Sequence, residues 1–156
     1  MSHKSFTILI EMFLHTKLED RKNPIRVAFV GCGKFVSMFL SQYSNLNKIK
    51  IDSIVDLNID QAKKNCLKSG VSKEEVSKIN FSTSLDQIFD RNIEIFIEAT
   101  GNPIVGTVHA TRILKEKKHL ILVNVEADIT CGKYLSDLAK ENGVICSMAY
   151  GDQPSR

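Results

Sequence analysis

Glycines, small polar loops and single acids that follow apolar runs are the residues here whose types and spacing could do chemistry. Gly31-Cys32-Gly33 comes directly after the apolar run Ile25–Val30 and opens a segment with helical spacing. A helix N-terminus carries unpaired N–H groups and a partial positive charge. A pyrophosphate reaches them only where the backbone can approach closely, which glycine permits. In such a turn Gly31 would make the bend and Gly33 would leave room for the phosphates, with Cys32, Lys34 and Phe35 around them. The full spacing is G-x-G-x-x-G, and this chain has Val36 in the third place. That third glycine serves close packing of helix on strand, so Val36 bears on packing more than on binding. A plain strand–turn–helix would use the same two glycines, and the turn alone leaves nucleotide binding open.

Further candidates follow the other apolar runs. Asp56 ends the second one, where an acid accepts hydrogen bonds from a ribose diol or caps the next helix. It is followed by Leu57 and Asn58, with no arginine to meet a 2′-phosphate, which favours NAD over NADP. Lys63 or Lys64, one helical turn on, could still reach such a phosphate. The loop Ala99-Thr100-Gly101-Asn102-Pro103 suits passage under a nicotinamide ribose and equally suits a helix cap. Glu126 is the one candidate for proton chemistry, and it also reads as an acid held by a helix dipole. His109 falls inside a helical segment and reads as structural. Cys32, Cys66, Cys131 and Cys146 form no C-x-x-C pair, and no histidine lies at metal-ligand spacing from them. They read as reduced thiols of a cytoplasmic protein, with no metal site; Cys32 is the one whose pKa a helix N-terminus would lower.

These positions require a scaffold of alternating strands and helices. Strands are expected at 25–30, 49–55, 79–81, 93–99, 120–123 and 144–148, with helices at 34–43, 61–67, 104–117 and 129–142 between them. Short helical pieces are expected at 73–76 and 84–89. Such alternation demands an α/β fold with a mostly parallel sheet and helices on both faces. Six strands in two halves predict a doubly wound Rossmann sheet of order 3-2-1-4-5-6, with ligand bound beyond the carboxyl ends of strands one and four. Before it, Phe6, Leu9, Ile10, Phe13, Leu14 and Leu18 fall at helical spacing, so residues 1–23 read as an amphipathic helix and linker, and 24–156 as the binding domain.

Composition excludes several other functions. The 156 residues are 43% hydrophobic and 25% charged, as in ordinary globular domains, and the net charge of +3 is too mild to argue for nucleic acid. The apolar run at 6–14 is short and broken by Glu11, so it reads as neither signal peptide nor membrane span.

Four segments occur in order: Gly31-Cys32-Gly33-Lys34-Phe35, Glu98-Ala99-Thr100-Gly101-Asn102-Pro103, Asn124-Val125-Glu126-Ala127-Asp128 and Gly151-Asp152-Gln153-Pro154. Together they resemble the N-terminal domain of homoserine-dehydrogenase-like oxidoreductases that carry a SAF domain, a group that includes deoxyxylulose phosphate reductoisomerase-like enzymes. The resemblance implies an NAD(P) cofactor and hydride transfer to a small carbonyl substrate. It also implies a longer protein whose catalytic and dimerising domain follows Gly151–Pro154, making homo-oligomerisation an expectation for the whole and this chain alone inactive. Val36 stands where that family usually has glycine, and Leu57 where it often has arginine; the second departure tells against NADP. The competing expectation is a non-catalytic dinucleotide-sensing or protein-interaction module, or a degenerate remnant.

Overall fold

The computed structural model of the protein describes residue 18 and residues 20–149. The expected N-terminal helix and the Gly151–Pro154 segment lie outside them, apart from residues 18 and 20.

Six strands form one sheet: β1 (Ile25–Val30), β2 (Ile49–Val55), β3 (Asn80–Ser82), β4 (Ile95–Glu98), β5 (His119–Leu122) and β6 (Cys146–Met148). Their order is β3-β2-β1-β4-β5-β6, and every pairing is parallel. The expected order is therefore found. The helices are α1 (Lys34–Ser41), α2 (Ile59–Lys68), α3 (Lys73–Lys78), α4 (Pro103–Lys115) and α5 (Val125–Glu141), with 3-10 turns at Tyr43–Asn45 and Leu85–Ile88. Successive side chains of a strand point to opposite faces, so β1 feeds two cores. Val27 and Phe29 pack with α1 and α2 through Val36, Leu40, Ala62 and Cys66. Ala28 and Val30 belong to the other core, with Ala110, Ile113 and Leu114 of α4 and Leu135 of α5. Val36 is fully buried in the first core, where a valine contributes roughly 1.5–3 kcal/mol. Its methyls fill the contact between helix and sheet that a third glycine would have drawn tighter.

Two departures from the expected boundaries have local causes. The last long helix begins at Val125, a turn before the expected 129, because Asn124 caps it: its Oδ1 accepts the Ala127 N–H at 3.1 Å. The β1–β2 ladder also slips. Val27 pairs with Ile51 but Ala28 pairs with Ser53, leaving Asp52 as an extra residue. The bulge aims the buried Asp52 carboxyl at two arginines. Arg91 Nε donates to Oδ1 at 2.6 Å, Ser53 Oγ donates to the same oxygen at 2.9 Å, and Arg26 pairs with Oδ2.

Three helices end in the same hydrogen-bonded pattern, in which the residue after the cap takes a left-handed conformation. After α2 that residue is Gly70, and after α5 it is Gly143. After α4 it is Lys117, at φ 56°, with Lys117 N–H bonded to Leu114 O and Lys118 N–H to Ile113 O.

Replacing Lys117 by glycine is expected to stabilise the fold by about 1 kcal/mol, since a left-handed side chain costs roughly 1–2 kcal/mol and glycine loses more freedom on folding. The readout is a rise of roughly 3 °C in Tm. Asp52 predicts an acid-sensitive fold. Burial pushes its carboxyl up, but the hydrogen bonds from Arg91 and Ser53 and the charges of Arg26 and Arg91 outweigh that and hold it below the ordinary aspartate value. Its contribution is thus complete above about pH 4, the unfolded value, and is lost as pH falls through the lowered folded value. Urea midpoints measured from pH 7 to pH 3 should fall more steeply in the wild type than in Asp52→Asn. At pH 7 the variant should already be weaker by roughly 2 kcal/mol, less than a fully buried pair because each arginine keeps about a third of its side chain in water.

Candidate functional site

A cleft of about 820 Å³ lies over the carboxyl ends of β1, β2 and β4. Its floor is the turn after β1. Gly31 there has φ 89°, and a side-chain carbon on it would come within 2.9 Å of Ala99 O and 3.0 Å of Thr100 Cα. Only glycine fits, for both reasons. Gly33 differs: it is the N-cap of α1, and a side-chain carbon on it would meet nothing within 4 Å. It borders open space at a helix N-terminus, which is the room a phosphate needs.

The turn is held from the side by the end of β2. Cys32 N–H donates to Asp56 Oδ2 at 2.8 Å, and Asn65 Nδ2 donates to Cys32 O at 2.8 Å. Asp56 Oδ1 also accepts the Asn58 N–H at 2.8 Å. A carboxylate offers about four acceptor sites, so two remain for a diol. The Cys32 side chain points away from the cleft, with Sγ against Ala62 O and the Cys66 thiol. The Cys66 hydrogen bond, burial and the charge of Asp56 all push the Cys32 thiol up. The expected activation by the helix N-terminus is therefore reversed, because the side chain enters the core beneath the turn and not the space in front of it.

The β4 loop forms the next wall. Thr100 donates both its N–H, at 3.1 Å, and its hydroxyl to Glu98 Oε1. Asn102 Oδ1 accepts the N–H groups of Ile104 and Val105 at 3.0 Å each, so it caps α4 while also lining the cleft. Gly101, at φ 72°, joins the two. Beyond them Val105, Val108, His109 and Arg112 of α4 face Thr83 and Ser84 across a slot with an exposed Leu57 at its edge. Arg112 is held by Asp86 and Glu116 at 3.3 Å each and lies over the Phe89 ring.

Of the expected site residues, Gly31, Cys32, Gly33, Asp56, Thr100 and Asn102 line this one cleft. Lys34 is exposed at the start of α1, and Phe35 packs instead by Ile97 and Ile121 on the sheet face. Glu126 stands exposed in the first turn of α5, one strand away from Thr100 and outside the cleft lining. Among the described residues no helix is long and apolar enough to cross a membrane.

The model of the GFO/IDH/MocA family, described as an oxidoreductase family with an NAD-binding Rossmann fold, matches residues 25–150. The chain belongs to this family. It therefore carries an NAD-binding Rossmann domain of oxidoreductase type, and its cleft is where that fold places a dinucleotide. An oxidoreductase from Bacillus cereus is 22% identical, with a TM-score of 0.67 over 80% of this chain and 34% of its own. GenD2 from gentamicin A biosynthesis, solved in complex with NAD, is 16% identical, with a TM-score of 0.66 over 81% and 34%. Homoserine dehydrogenase from S. aureus is 22% identical, with a TM-score of 0.57 over 83% and 33%. At these identities the likeness is one of fold. The chain spans about a third of the length of each of them. No curated protein matches it.

Within this family fold, His109, Thr83 and Ser84 also line the cleft, and Glu98 stands buried behind it. Glu98 was a visible signal, a lone acid ending the apolar run Ile95–Ile97. His109 was read as structural, yet it stands four residues after Val105 and three before Arg112, so one face of α4 presents all three to the cleft. The Thr83-Ser84 wall had no motif to announce it.

The two glycines are expected to fail differently. Gly31→Ala should lower stability by roughly 1–3 kcal/mol, since both its φ and its backbone contact forbid a side chain. Gly33→Ala should leave the urea midpoint nearly unchanged and abolish saturable NADH binding. Equal stability losses for the two would show that the space over Gly33 has no special role.

Proposed function

We propose that residues 24–156 form the cofactor half of an NAD-linked oxidoreductase, acting on a small carbonyl or alcohol substrate. The observation that carries this is the juxtaposition over the β1 turn: open space at Gly33 beside an Asp56 carboxylate with acceptor sites to spare. The helix N-terminus of α1 holds the pyrophosphate, Asp56 accepts from the adenine ribose, and the slot between Val105, Val108 and Ser84 takes the adenine ring. A flat base would cover Leu57, Val105 and Val108, which are exposed at 92%, 41% and 63%. Thr100, Gly101 and Asn102 would border the nicotinamide ribose, and the bound cofactor would supply hydride transfer to or from the substrate carbon. Glu126 is assigned proton transfer as an exposed acid after the carboxyl end of β5, in the first turn of α5, whose dipole favours the carboxylate.

NAD is preferred over NADP in this reading. Asp56 would repel a 2′-phosphate, and of the two lysines one helical turn on, Lys63 lies over the Phe81 ring at 5.4 Å. The homoserine-dehydrogenase-like resemblance, with its SAF and reductoisomerase-like members, supports the reaction class and assigns no substrate. The four free thiols agree with a cytoplasmic setting.

Fluorescence titration with NADH and NADPH tests the reading. NADH should bind about tenfold more tightly than NADPH, and Asp56→Asn should weaken NADH by about tenfold while closing that gap. Failure of both cofactors to bind at millimolar concentration would sink the proposal. Binding with no turnover of any carbonyl compound would leave cofactor half and dinucleotide sensor level, since this chain alone is expected to be inactive.

A further inference from the structure

Glu98 is the last residue of β4, fully buried behind the cleft. Burying a carboxyl costs several kcal/mol unless its oxygens find partners. One oxygen does: Oε1 accepts both donors of Thr100, and His109 Nδ1 lies 3.9 Å from it. The other does not. Among the described residues, four buried side-chain polar atoms lack a partner, and three of them gather here: Glu98 Oε2, Asn124 Nδ2 and His109 Nδ1.

The orientation of Asn124 follows from its cap. Its Oδ1 must accept the Ala127 N–H, so its NH2 is the group turned inward. Both Glu98 Oε2 and Asn124 Nδ2 lie 2.9 Å from the point where a side-chain carbon of Gly106 would sit. Glycine inside a helix costs about 1 kcal/mol relative to alanine, and here it leaves open the space that these two atoms border. One is an acceptor and the other a donor, so a small closing shift that brings them into one direct hydrogen bond would satisfy both.

We propose that Glu98 is a positioning residue that locks the Thr100 loop of the cofactor cleft to the Asn124 cap of α5. It touches no ligand. It acts through Thr100, which borders the cleft, and through Asn124, two residues before Glu126. This rests on the reading of the cleft as a dinucleotide site, and it adds that the β4 and β5 loops move as one body when the cofactor binds.

A polarity swap tests it in the full chain. E98Q sets an NH2 group against the Asn124 NH2, and N124D sets a carboxyl against the Glu98 carboxyl. The pair E98Q/N124D restores donor to acceptor in the opposite sense, and aspartate is as good a helix cap as asparagine. NADH affinity and hydrogen exchange at the Thr100 amide are measured for all four proteins. Each single variant should lose about tenfold or more in affinity and exchange Thr100 about tenfold faster, and the double variant should return to within about threefold of wild type. G106A is an independent check. Alanine favours the helix, but its methyl presses on both side chains, so NADH affinity should fall and Thr100 exchange should quicken. A double variant no better than the worse single one overturns the proposal. So do single variants indistinguishable from wild type, or a G106A protein with unchanged affinity and exchange. If the single variants do not fold, refolding of the double variant with a protected Thr100 amide supports the lock, and its failure to fold overturns it. A wild-type chain that does not bind NADH sinks the cofactor reading alone, and the exchange cycle still decides the role of Glu98.

Discussion

The cleft depends on one hydrogen bond between neighbouring strands: the Cys32 N–H donated to Asp56. A turn rich in glycine has many accessible conformations, and folding must select one. The Asp56 carboxylate selects it from the side, and Asn65 takes the adjacent carbonyl of Cys32. On the proposed reading, the acid that would face a ribose is also part of the scaffold for the phosphates. Ribose and phosphate recognition would then share an atom group, with their geometry fixed before any ligand arrives. That is the arrangement that lowers the ordering cost of binding.

Around this point the sheet is almost wholly apolar, and it buries two carboxyls. Asp52, midway along β2, is matched by two arginines and a serine. Glu98 at the carboxyl end has no cation of comparable proximity and instead draws hydrogen-bond donors from its own loop. The first arrangement resists water and holds β1, β2 and the loop before β4 together. The second trades some stability for order in a loop that borders the cleft.

Much of this was legible in the sequence. Apolar runs bounded by glycine and small polar residues gave all six strands, and their alternation with helices gave the order of the sheet. Gly31, Gly33 and Asp56 stood out because a phosphate turn would demand particular residue types, and the fold gathers all three at one cleft. What sequence could not display was direction. Cys32 sits in the right place for an activated thiol, but its side chain enters the core. Phe35 is adjacent to the turn in sequence and packs on the sheet face in space, while Lys34 is exposed outside the cleft lining. The bulge at Asp52 leaves no compositional trace, since an aspartate in a strand looks like an ordinary exposed position until two arginines from distant segments are brought to it. His109 shows the converse: a helical histidine reads as packing, and only the fold shows that it also lines the cleft.

Gly31 has a consequence for how such a protein can change over time. Its Cα rests against the backbone of Ala99 and Thr100, so the gap between the ends of β1 and β4 is set by main chain against main chain. Side-chain substitution has no purchase on that gap. Lineages carrying this fold can therefore revise the rim, at positions such as Leu57, Ser84 and Val108, and exchange one preference for another by single steps. The floor offers no such gradual route: it is inherited whole or lost, and diversity in the family should accumulate around a centre that stays the same width.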